Sequence, residues 1–117
     1  MGVFRRIYDR LLLQDVISPS QVHIPQENIQ DEQLALVHTK EFLHAFNTST
    51  LDEARIRRIG FGAATSTPVL IERTRSEVAG TLLTARLALQ HGLAVNTAGG
   101  EFAVMRSAAY RGAIACR

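Results

Sequence analysis

Thr67-Pro68-Val69 opens the longest regular stretch of the chain, His91-Gly92 closes it, and Leu93-Ala94-Val95-Asn96-Thr97-Ala98-Gly99-Gly100 follows directly. Thr67 can cap a helix with its hydroxyl, Pro68 suits the first helical position, and Gly92 suits the residue beyond the last turn. Between them Val78, Leu82, Ala85 and Leu89 recur at 4-3-4 spacing, which predicts a helix with a buried stripe. Gly80 lies mid-helix, where glycine costs about 1 kcal/mol against alanine, so it predicts close packing at that point. Leu93-Ala94-Val95-Asn96 is short and apolar and reads as a buried strand fed by the helix, with Thr97-Ala98-Gly99-Gly100 as the turn at its carboxyl end. Helix followed at once by strand implies an α/β layer.

Upstream, Phe4, Ile7, Tyr8, Leu11 and Leu12 share one face of a helix over residues 3–13. Ser18-Pro19-Ser20 bars its continuation, because proline excludes helix from the residue before it. A loop follows to Gln30, with Val22, Ile24 and Pro25 as a short extended piece. Asp31 is the expected N-cap of a short helix carrying Leu34 and Val37, and a second, over 41–46, would bury Phe42, Leu43 and Phe46. Thr50-Leu51-Asp52-Glu53 has the form of a capping box, with Gly60 placed to end the helix it starts. Residues 61–66 form a small-residue loop.

The 117 residues are 46% hydrophobic and 21% charged, near the globular averages of roughly 45–50% and 25%, which excludes a disordered or fibrous chain. Thirteen basic residues oppose eleven acidic ones for a net charge of +2. Twelve of the thirteen are arginine, but they are interleaved with Asp and Glu. This pattern predicts solvated helix faces, with no direct nucleic-acid contact, since a nucleic-acid footprint gathers on one face. Cys116 stands alone, so neither an intrachain disulfide nor a cysteine zinc site is available. Asp9 and Arg10 interrupt any signal-peptide core, and no apolar run reaches the ~18 residues of a membrane span. The expected setting is intracellular, cytoplasm or nucleus.

Candidate chemistry is sparse. The histidines at 23, 38, 44 and 91 offer no pair at helical ligand spacing. His91 falls in a last helical turn, where the dipole favours its charged form, while His38 and His44 read as half-buried packing residues. Asp31/Glu32 and Asp52/Glu53 sit at helix starts, which the dipole explains. Ala98-Gly99-Gly100 would let a ligand approach the backbone at the carboxyl end of a sheet, but has no phosphate-loop spacing. Residue chemistry alone assigns no catalytic residue and no metal ligand.

Longer stretches carry a family likeness. Arg57-Arg58-Ile59-Gly60-Phe61, Glu72-Arg73-Thr74-Arg75 and the run Val78-Ala79-Gly80-Thr81-Leu82-Leu83-Thr84-Ala85-Arg86-Leu87-Ala88-Leu89 resemble the histone deacetylase family. The branch is similar to class IV deacetylases and their bacterial relatives, of arginase/deacetylase fold. His91 to Gly100 resembles the strand and turn leading into that family's active site. Phe4-Arg5-Arg6-Ile7-Tyr8, Leu36-Val37-His38 and Thr50-Leu51-Asp52-Glu53-Ala54-Arg55 fit the same pattern, so the likeness runs over residues 3–100.

The resemblance implies a zinc-dependent amidohydrolase removing acetyl or longer acyl groups from lysine side chains of proteins, with a tandem histidine pair for the protons and Asp and His residues holding the metal. The pair is expected after Ala98-Gly99-Gly100 in the form Gly-Gly-Thr-His-His-Ala. Here Glu101 stands at the threonine position, and Phe102 and Ala103 stand at the two histidines. Residues 101–117 resemble nothing of the family's continuation, and its first strand is missing ahead of Phe4.

The expectation is therefore a partial histone-deacetylase-like domain over 1–100 and a divergent tail over 101–117, as after a shifted reading frame, retained intron or gene rearrangement. Its fold would be the amino-terminal part of an α/β domain, predominantly helical with one or two short strands. Such a chain would hold no zinc, have no deacetylase activity, and meet a protein partner or itself through exposed apolar faces. The alternative is a small helical protein-interaction module without enzymatic activity.

Overall fold

A computed structural model describes residues 2–97 and 103–106. The chain is predominantly helical. Among the described residues five α-helices, α1 (Gly2–Leu13), α2 (Asp31–Leu34), α3 (Lys40–Asn47), α4 (Glu53–Ile59) and α5 (Pro68–His91), precede two strands, β1 (Leu93–Asn96) and β2 (Ala103–Arg106). Short 3₁₀ turns occupy Pro19–Gln21 and Gly62–Ser66, where loop was expected. The chain divides into two compact units, Glu27–Ala79 and the flanking described residues, with α5 running through the boundary.

The unit Glu27–Ala79 buries Ile29, Leu34, Leu43, Leu51, Ile71 and Ala79. Its helices begin where side chains satisfy the free N–H groups of the first turn. The Thr39 hydroxyl accepts from the Phe42 N–H at 3.2 Å to start α3. At α2 the cap position belongs to Gln30, not Asp31, whose carboxylate is engaged elsewhere. At α4 the expected Thr50–Glu53 box does not form, and the cap lies two residues later. Asp52 accepts from the Arg55 N–H at 2.8 Å, Thr50 shares a hydrogen bond with Thr48 at 2.9 Å, and Glu53 pairs with Arg57 at 3.3 Å. This placement sets buried Leu51 just ahead of the cap and Ile56 four positions after it, the spacing of a hydrophobic staple. Gly60, at φ +91°, ends α4 in the left-handed region that glycine enters without Cβ strain.

The second unit holds α1, the carboxyl half of α5 and the strands. On α1, Ile7, Tyr8, Leu11 and Leu12 are half-buried, following the expected stripe; the Phe4 side chain lies outside the described residues. Helix α5 starts at Thr67, whose hydroxyl accepts from the Leu70 N–H at 3.3 Å, and ends at Gly92 with φ +88°. Strand β1 pairs antiparallel with β2 in the register Leu93↔Arg106 to Asn96↔Ala103.

Two burial patterns differ from expectation. On α5 the fully covered residues of this unit are Thr84 and Ala88, while Val78, Leu82 and Ala85 are half-buried and Leu89 is 72% exposed. The covered line follows the small residues Thr84 and Ala88, in step with half-buried Gly80 at four-residue intervals, because close approach is governed by side-chain size more than by apolarity. In β1, Leu93 and Val95 are more than half exposed and the polar Asn96 is buried, the reverse of a buried apolar strand.

Candidate functional site

In the unit Glu27–Ala79 a polar cluster draws on three elements and the loop before them. Arg75, on α5, is the hub. Its Nη1 donates to Asp31 Oδ1 at 2.5 Å and to Asn47 Oδ1 at 3.1 Å, and its Nη2 donates to the Ile29 carbonyl at 2.6 Å. Asn47 Nδ2 in turn donates to Asp31 Oδ2 at 3.1 Å. The triangle is closed: the fixed fork of the guanidinium matches acceptors from the loop, α2 and α3 together. Arg75 is 19% exposed and Asp31 53%. The hydrogen bond from Arg75 holds the Asp31 carboxyl below its ordinary value, with the guanidinium charge and Asn47 adding to it against partial desolvation. Both Asp31 oxygens, both polar atoms of the Asn47 amide and both terminal nitrogens of Arg75 thus have partners within the cluster, the arrangement of a structural clasp.

In the other unit the residues leading toward the expected turn are ordered by one side chain. Asn96, the last residue of β1, is 8% exposed and donates from Nδ2 to Thr81 Oγ1 at 3.4 Å. The same amide lies over Gly80, where an added Cβ would stand 3.4 Å from Asn96 Nδ2. Gly80 is therefore a point of close approach between helix and strand. Ala98, Gly99 and Gly100, the expected lead-in turn, lie outside the described residues, as do Glu101, Phe102 and Cys116.

The histidines do not converge. His23, His38, His44 and His91 are all exposed, which corrects the half-buried reading of His38 and His44. His38 is instead held at the surface against Phe42, ring centroids 5.4 Å apart, and Phe42 stacks on Phe46 at 6.1 Å. Among the described residues no three His, Cys, Asp or Glu side chains come together. Shallow hollows lie along α1, beside Ile7, Leu11 and Leu13, and around Leu12, Asp15 and Ile17, and neither contains a histidine.

The Asp31–Asn47–Arg75 cluster was not legible as a unit, because Asp31 and Arg75 stand 44 positions apart and each has a sufficient local explanation on its own helix. Asn96 did leave a signal. It is an amide at the end of an apolar tetrapeptide, downstream of a glycine in mid-helix.

An uncharacterized protein of Picosynechococcus sp. is 44% identical to the chain over 101 residues, which make up 86% of this chain and 32% of the relative. The chain therefore spans about a third of the length of the curated relative that it matches. No protein-family model matches the chain, and no solved structure matches it. No helix among the described residues is long and apolar enough to cross a membrane.

Proposed function

We propose that this chain is the amino-terminal part of a domain like that of the zinc-dependent lysine deacetylases, with the ancestry of an acyl-lysine hydrolase and without its catalytic pair. The observation that carries the reading is the family-like sequence from Arg55 to Gly100, which runs to the Gly-Gly turn and then presents Glu101, Phe102 and Ala103 where Thr-His-His is expected. In a complete enzyme zinc would polarise the acyl amide and activate water. Phenylalanine and alanine side chains cannot carry the accompanying protons. The helix–glycine–strand order over 68–96 supports the reading. So do exposed Leu89, Leu93 and Val95, apolar positions that a larger domain would cover. The relative, about three times as long as the matched stretch, has room for the missing residues.

Acylated lysine proteins are then the substrates of the parent activity and not of this chain, whose setting is intracellular. Direct nucleic-acid binding is not part of the reading. Arg5, Arg55, Arg57 and Arg73 each meet an acidic side chain three or four positions away, the pattern of solvated helix faces. Incubation of the purified chain and zinc with acetyl-lysine and longer acyl-lysine peptides tests the proposal. No deacylation above the zinc-only blank is expected, and turnover abolished by a chelator would overturn it. The ancestry is tested separately in the downstream genomic DNA, where a reading frame encoding Thr-His-His followed by Asp-x-His is expected and the lack of one would refute it.

A second reading, a small helical interaction module, is favoured by the unit Glu27–Ala79, which contains most of the buried apolar residues and the closed Arg75 cluster. A cooperative monomeric melt distinguishes the module. Molten behaviour with dye-accessible apolar surface distinguishes the fragment.

A further inference from the structure

The Arg75 cluster ties three separate segments together. One guanidinium holds the loop at Ile29, the first residue of α2 and the last residue of α3. Helix α2 is four residues long and α3 eight, too short to persist on local hydrogen bonding. Their order therefore depends on tertiary attachment, which Leu34 and Leu43 supply through burial and Arg75 supplies through polar contacts. Charge-assisted bonds of this kind are about twice as strong as neutral ones and act together when they share a donor group.

We infer that Asp31, Asn47 and Arg75 form a latch that holds residues 29–47 onto α5, and that neutralising Asp31 releases this arm as a local opening before the rest of the chain unfolds. Arg75 is the charged group that faces Asp31 from α5. Helix α3 presents the neutral Asn47, the preceding loop the Ile29 carbonyl, and α2 itself the neighbouring Glu32. The direction of pH dependence follows from the folded carboxyl titrating below its ordinary value of 3.8. The latch is closed above that value and is lost as pH falls through the lower, folded one. Because Asp31 is half exposed, high salt weakens the latch as well.

Amide hydrogen exchange on the full chain reads this directly, since local opening and global unfolding leave different patterns. Protection over residues 31–47 is expected to fall between about pH 6 and about pH 2 by about threefold more than protection over residues 82–91. Asp31→Asn is expected to show the lowered protection of 31–47 already at the higher pH and to flatten its pH dependence. Arg75→Gln should open the same arm, and in Asp31→Asn/Arg75→Gln the two effects should be less than additive. Parallel loss over 31–47 and 82–91, or an undiminished pH dependence in Asp31→Asn, would overturn the latch. The wild-type pH comparison decides the matter by itself where a variant does not fold.

Discussion

Gly80 and Asn96 meet with the strand amide lying over the helix backbone, 3.4 Å from where a Cβ on residue 80 would stand. That spacing leaves room for one methyl group and nothing larger. Gly80→Ala should therefore recover part of the roughly 1 kcal/mol of helix propensity that glycine forfeits and raise the melting temperature slightly. Gly80→Val should drive its branches into Asn96 and cost about 1–3 kcal/mol. Thermal unfolding followed by circular dichroism separates the two, and a destabilised alanine variant would show that the contact is tighter than its geometry.

The start of α4 makes a claim about which side chain is the cap. Asp52 accepts the Arg55 N–H, whereas the Thr50 hydroxyl shares its hydrogen bond with Thr48. Asp52→Ala should cost about 1 kcal/mol, while Thr50→Ala should cost only a few tenths, the worth of a weak exposed hydrogen bond. Chemical denaturation of the two variants checks this, and a larger loss at Thr50 would restore the capping box.

The end of α4 rests on the positive φ of Gly60, with no neighbour among the described residues within 4 Å of an added Cβ. Gly60→Ala should therefore destabilise through backbone strain alone, by about 1 kcal/mol. Gly60→Asn should cost less, because asparagine tolerates the left-handed region better. Equal melting temperatures for the two variants would count against the strain argument.

Thr65 is 1% exposed and its hydroxyl has no hydrogen-bond partner among the described residues. An unpaired buried hydroxyl carries its desolvation cost without return. Thr65→Val, of nearly the same shape, should raise stability by about 1 kcal/mol, measured as a higher denaturation midpoint at unchanged slope. A lower midpoint would mean that the hydroxyl finds a partner in solution.

Local signals were legible and distant ones were not. The limits of α5 followed from Thr67, Pro68 and Gly92, and the span of β1 from four apolar-to-neutral residues after a glycine, because each depends on chemistry within a few positions. The cap of α4 was misread because Thr50 and Asp52 are both good caps, and the burial of Leu51 decided between them. The covered line of α5 was misread because Leu82 and Leu89 are more apolar than Gly80 and Thr84, whereas size sets the close contact. The Arg75 cluster depends on tertiary proximity that no local pattern encodes. As for the candidate site, strand β1 was legible but its orientation was not.

That orientation has a consequence for how the chain can misfold. Side chains alternate across a strand, so sliding β1 by one position would turn Leu93 and Val95 inward and expel Asn96. Hydrophobicity alone would drive that slide. The hydrogen bond from Asn96 to Thr81 and its seat over Gly80 oppose it. Asn96 is thus a polar key in a strand whose apolar residues pull the other way. Replacing it with a larger aliphatic residue would remove the polar contact that tells the two faces of β1 apart.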